Sequence, residues 1–185
     1  MNQTRVRWLF IASLLLALSN LSAQTARTGA ESMSMQLSTT SFSPGGTIPN
    51  KYTCDGLDLS PALSWSGAPQ ATKAFALIAD DPDAPAGTWT HWLIWNIPAS
   101  THELQEGLPK TAQLADGSRQ GRNDFRKVGY NGPCPPPGRP HRYYFKLFAL
   151  GAPLEVKPGE ARDEVESAIK QHTLERAEVM GRYGR

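Results

Sequence analysis

AFALIADDPDAPAGTWTHWLIWNI, residues 74–97, sets two apolar runs on either side of an acidic turn braced by prolines, and its reading decides the fold. Ala74 to Ala79 is apolar throughout and of strand length, as expected of a strand covered on both faces. Asp80-Asp81-Pro82-Asp83-Ala84-Pro85 follows at once, a cluster of turn formers. Trp89 to Ile97 then reads as a second strand. Side chains alternate across a strand, so His91, Leu93, Trp95 and Ile97 are expected on one face and Trp92, Ile94 and Asn96 on the other.

Outward from this stretch, Met35 to Leu37, Leu63 to Trp65 and His141 to Leu150 are further short apolar runs bounded by Gly, Pro, Asp or Asn, again the mark of strands. In the last of them His141 and Tyr143 share a face. The C-terminal stretch is different: Val165, Ala168 and Ile169 within Glu160 to Gln171 have helical spacing, introduced by Pro158 and Gly159. Leu174 and Ala177 fall out of phase with that stripe, which predicts two short helices or one kinked near His172 and Thr173. Fifteen prolines and sixteen glycines fit short strands and tight turns.

At 185 residues with 39% hydrophobic and 19% charged side chains, the chain has material for one globular core and too little for two large domains. A formal charge of +2 without a Lys/Arg cluster excludes an extended nucleic-acid surface. At the N-terminus, Arg5 and Arg7 precede an apolar run, Leu9 to Leu18, broken by Ser13 alone, and Ser19 to Ala26 is small and polar. That is the plan of a secretory signal peptide, expected over residues 1–23 with cleavage after Ala23. An uncleaved anchor is the alternative, although the run is short of the about 20 apolar residues of a membrane span, and stable membrane insertion is not expected. Residues 24–34 read as a flexible leader and 35–185 as the domain. Export makes a disulfide the expected state of Cys54 and Cys134, because an oxidising compartment permits one.

Three features could carry chemistry. The acidic loop offers hydrogen-bond acceptors, metal ligands or a general acid/base, against the plainer reading of a solvated turn. His91 lies six residues after Pro85, so loop and imidazole must be close; a lone histidine is otherwise usually structural. Gly132 to Pro140 is too rich in Pro and Gly to join a ladder and must form a stiff loop delivering His141 and Tyr143, unless it is a polyproline interaction segment.

These segments resemble a known family. DPDAP at 81–85, HW at 91–92 and GPCPPPGRPHRY at 132–143 are similar in order and spacing to the phosphatidylethanolamine-binding protein (PEBP) superfamily, also known as Raf-kinase-inhibitor-like proteins. YTCDG at 52–56, SPALSW at 60–65 and GRNDF at 121–125 resemble its YbhB/YbcL-like branch. The resemblance covers about Met35 to Arg185. It implies a mainly β fold, two antiparallel sheets packed as a sandwich with short peripheral helices, two of them C-terminal, and a small anion pocket at one end. It places Asp81, Asp83 and Pro85 on an acidic rim, His91 at the side, His141 and Tyr143 at the floor and Pro133 in the wall. Cys134 stands where a second wall proline is common, and a bridge to Cys54 would brace the pocket loop.

Two imidazoles and a phenol are donors suited to phosphate-like oxygens, with carboxylates to orient them. No GxSxG, HExxH or P-loop occurs, and neither catalytic residue, cofactor nor metal is expected, although two His and an Asp could in principle hold a metal. The leading expectation is therefore an exported, periplasmic or secreted, non-enzymatic binding protein for a small phosphate-type anion or phospholipid head group. An extracytoplasmic inhibitor of the PEBP type, with a protease as its target, is the alternative, and a hydrolase using the acidic loop and His91 stands third. No nucleic-acid partner is expected, and a homodimer is left open.

Overall fold

The computed structural model describes residues 34–185; the expected signal peptide and the leader up to residue 33 lie outside the described residues. Eight strands and one α-helix follow in the order β1 (Gln36–Ser38), β2 (Leu63–Ser66), β3 (Ala74–Asp81), β4 (Trp89–Pro98), β5 (Glu103–Leu104), β6 (Arg119–Gln120), β7 (His141–Leu150), α1 (Arg162–His172) and β8 (Thr173–Tyr183). A three-stranded sheet, β1-β2-β5, faces a five-stranded one, β6-β4-β3-β7-β8, and all of these pairings are antiparallel.

Every residue of β3 is buried, as the unbroken apolar run of residues 74–79 predicts, and the strand carries that burial on through Asp80 and Asp81, which the sequence places in the turn. Phe75, Leu77 and Ala79 point into the core shared with Leu37, Leu63, Trp65 and Leu104 of the smaller sheet. Ala76 and Ile78 point outward and are covered by Val165 and Ile169 of α1 and by Leu154. Full burial of a side chain of this size contributes about 1.5–3 kcal/mol, so two such residues fix the helix on the sheet.

Two bulges break the strict alternation expected for β4. Phe75 pairs with Ile97 but Ala76 with Trp95, leaving Asn96 unpaired at a φ of 55°. Asn tolerates this left-handed conformation better than most residues, and its amide group exchanges hydrogen bonds with the backbone of Leu154. At the other end Ala79 pairs with Trp92 and Asp80 with Thr90, so His91 is the extra residue. Each insertion shifts the pleat by one. Ile97 therefore joins Trp92 and Ile94 in the inter-sheet core, while Leu93 and Trp95 face the helix side. His91 leaves the face of Leu93 and packs against Tyr143.

The expected second C-terminal helix is instead strand β8. Ala177, Val179, Gly181 and Tyr183 form an alternating inner row, with Val179 and Tyr183 buried, and β8 pairs with β7 along its whole length. The hydroxyl of Thr173 donates to the Ile169 carbonyl and closes α1 at that point. Leu174, whose phase suggested a second helix, is exposed. Polar partners and glycine dilute the two-residue period, and only pairing with β7 makes it decisive.

Candidate functional site

The proline-braced loop between β3 and β4, the start of β4, the Gly132–Pro140 loop and the start of β7 meet at one end of the sandwich. They enclose a cleft of about 320 Å³. Asp81, His91 and His141 supply its polar groups, Pro85, Trp89 and Phe125 one apolar wall, and Pro135, Pro136 and Cys134 the other.

Neighbouring acidic residues do three different jobs because successive strand residues face opposite ways. Asp80 points outward, its carboxylate fully buried between Lys146 Nζ at 2.8 Å and Arg162 Nη2 at 2.9 Å, which ties α1 to the sheet. Asp81 points into the cleft. Its Oδ1 accepts from the Asp83 backbone N–H at 2.8 Å, and its Oδ2 lies 2.8 Å from His141 Nδ1. A carboxylate in this position fixes the orientation of the imidazole. Asp83 turns away to Arg142, which meets it through Nε at 2.9 Å, Nη2 at 2.7 Å and its backbone N–H at 2.9 Å. The Arg142 guanidinium holds the Asp83 carboxyl far below the usual carboxylate range.

His91 is fixed from behind. Its Nδ1 lies 2.7 Å from the Asn131 carbonyl, and since a carbonyl only accepts, Nδ1 carries the proton and Nε2 is the nitrogen left to meet a ligand. Asn131 is itself held: its side chain donates to Asp58 at 2.8 Å and accepts from Asn123 at 2.9 Å. The buried Asn123 is the hub of this support. It also donates to the Gly129 carbonyl and receives the backbone N–H groups of Phe125 and Lys127.

Of the residues expected at the pocket, Asp81, Pro85, His91 and His141 line the cleft, whereas Asp83, Pro133 and Tyr143 do not. Pro133 sits behind the wall, its carbonyl accepting from the Cys54 backbone N–H at 3.1 Å. Tyr143 lies beneath the His91 ring, centroids 5.2 Å apart and nearly perpendicular. Its buried hydroxyl has no hydrogen-bond partner among the described residues, and burial, reinforced by the Asp81 charge, raises its pKa well above the ordinary tyrosine value. Trp89, Phe125, Pro135 and Pro136 are wall residues that the sequence does not single out as such. The aromatic in GRNDF was the one signal pointing to Phe125. Cys54 and Cys134 are disulfide-bonded, closing a separation of 80 residues and holding the Pro135–Pro136 wall.

Burial holds the His91 pKa below the ordinary histidine value, against the opposing pull of the Asn131 carbonyl and the Asp81 charge. The unfolded chain therefore binds a proton that the folded domain refuses. The resulting stability is complete above the unfolded value of about 6.5 and is lost as pH falls toward the lower folded value. Between about pH 7.5 and 5.5, a window around that value, the thermal midpoint is expected to fall, with a shallower fall in His91→Gln. Identical slopes for the two proteins would refute this assignment.

A family model described as phosphatidylethanolamine-binding protein matches residues 38–184. A UPF0098 protein of Methanothermobacter thermautotrophicus is 49% identical over 151 residues, covering 82% of this chain and 99% of the relative. A UPF0098 protein of Aquifex aeolicus is 48% identical over 153 residues, covering 82% and 89%. Among solved structures, E. coli YbcL, described as a new member of the mammalian PEBP family, superposes with a TM-score of 0.77 at 34% identity, over 82% of this chain and 98% of that one. A PEBP homolog of Chlamydia trachomatis gives 0.74 at 38% identity, with the same coverage. By fold, by the family match over most of its length and by relatives almost half identical to it, the chain belongs to the phosphatidylethanolamine-binding protein family.

Proposed function

We propose that this protein is exported to the periplasm or beyond and binds, without turnover, a small phosphate-type anion or phospholipid head group in the histidine cleft. The observation that carries the reading is the convergence of His91 and His141, each with Nδ1 engaged from behind, at the bottom of a cleft whose walls are mostly proline and aromatic. Nε2 of each ring is the nitrogen left to meet a phosphate oxygen, and the negative charge of a bound anion would draw onto His91 the proton that burial otherwise keeps off, giving a charge-assisted hydrogen bond, while the apolar walls suit the uncharged part of a ligand. Asp81 keeps His141 in position, and the name of the family, phosphatidylethanolamine-binding, agrees with a head-group ligand. The one sulfur in the wall, Cys134, is spent in the disulfide, and the groups that remain are suited to recognition. The apolar run and small-residue segment at the N-terminus support export.

Because an imidazole attracts an anion only when protonated, phosphate affinity is expected to weaken as pH rises through the neutral range. His141→Ala removes a charge-assisted hydrogen bond of about 1.5–3 kcal/mol, a loss of roughly ten-fold or more. Calorimetric titration of phosphate at about pH 6, just below the ordinary histidine value, compares the two proteins. Equal affinities would move the anion out of this cleft and give weight to the inhibitor reading.

A further inference from the structure

We propose that a second oxyanion site, independent of the histidines, lies on the outer face of the same end of the sandwich, where Arg139 and Arg182 take a phosphate group carrying two negative charges. Arg142 on β7 and Arg182 on β8 are direct cross-strand partners, an arrangement that like charges destabilise. Asp83 answers only one of them. It is bound to Arg142 by one edge of the guanidinium, through Nε and Nη2, and by the backbone N–H. Arg182 and Arg139 are exposed and, among the described residues, have neither a carboxylate partner nor a side-chain hydrogen bond. Three guanidinium groups and one carboxylate are therefore the charged side chains bordering a cleft of about 740 Å³.

The cleft is built to keep these charges together. Arg139 sits between Gly138, whose N–H donates to the backbone oxygen of Arg185, and Pro140, which leads directly into β7. Arg182 is locked from its other side, its backbone exchanging hydrogen bonds with Gly46 and Ile48. Gly45 and Gly46 border the cleft without side chains, and a Cβ at Gly45 would meet nothing within 4 Å, so the approach is open. The planar guanidinium fork matches phosphate oxygens in bidentate fashion. The two clefts are back to back: His141 faces one and Arg142 the other, as do Asp81 and Asp83.

The phosphate group could belong to a soluble monoester or to a phosphomonoester lipid, and two probes separate these sources. Glycerol 3-phosphate is titrated into the protein, and phosphatidylcholine vesicles with and without phosphatidic acid are tested by co-sedimentation. Both are run at about pH 8.5, two units above the ordinary histidine value, where guanidinium groups remain charged. The expected result is binding of one or both probes that falls at least about ten-fold in Arg139→Gln/Arg182→Gln. Arg122→Gln, which removes a charge from an exposed position elsewhere, is expected to leave it unchanged. Binding of neither probe at this pH overturns the proposal, as does equal weakening by Arg122→Gln. Phosphate binding seen only at about pH 6 and lost in His141→Ala would overturn it while leaving the histidine cleft standing.

Discussion

Replacing Cys54 and Cys134 together by serine is expected to lower the stability of the domain by roughly 3–5 kcal/mol. The bond joins residues 80 apart, and in the chain-entropy account a cross-link of this span removes a large part of the freedom of the unfolded chain. The native surroundings hold the two ends independently. The Cys54 N–H donates to the Pro133 carbonyl, Gly132 N–H donates to Asp58 at 2.6 Å, and the Tyr130 hydroxyl donates to the Tyr52 carbonyl. A Cβ on Gly132 would lie 2.0 Å from that same Tyr52 carbonyl oxygen, so the two loops touch at backbone distance. The serine variant is thus expected to keep its fold, with a lower urea midpoint. A midpoint equal to wild type, or two free thiols titrated in unreduced denatured wild-type protein, would contradict the assignment.

Asp80→Ala is expected to cost about 3 kcal/mol, the lower end of what breaking a buried ion pair costs. Asp80 is fully buried and meets Lys146 and Arg162 at 2.8 and 2.9 Å. Both cations keep about a quarter of their side-chain surface exposed, so water recovers part of the loss. Arg162 begins α1 and also bonds Glu166 one turn later. Losing Asp80 detaches the start of the helix from the sheet, and the effect should appear as faster amide exchange in α1 than in β3. Asp81→Ala is expected to act differently, lowering phosphate affinity through the orientation of His141. A stability loss below about 1 kcal/mol for Asp80→Ala, the scale of exposed ion pairs, would show that the cluster is a surface arrangement.

The contrast between Asp80 and Asp81 marks how far sequence carries the argument. The runs at 74–79, 89–97 and 141–150 are legible because their apolar residues outnumber alternatives and turn formers bound them. β8 was not, since Glu, Arg and Gly fill an edge strand whose period shows only once β7 is beside it. The two-residue strands β5 and β6 are too short to leave any period. Bulges are equally silent: an extra residue among apolar neighbours changes no composition, yet the one at His91 decides that the imidazole reaches the cleft face. Asp81, His91 and His141 are legible because motif order carries them. Asp83 reads as part of the same rim because nothing in DPDAP reveals that Arg142, 59 residues later, claims it. Asn123 and Asp58, which set the loop behind His91, act through backbone contacts between distant loops and leave no local signature.

The central claim is that an anion sits between the two imidazoles. Crystals of the domain soaked with phosphoethanolamine at about pH 6, below the ordinary histidine value, test it most directly. The account predicts phosphate density within hydrogen-bond distance of Nε2 of both His91 and His141, with Asp81 still on His141 Nδ1. An empty histidine cleft, with density confined to the arginine-lined face or absent altogether, would contradict it.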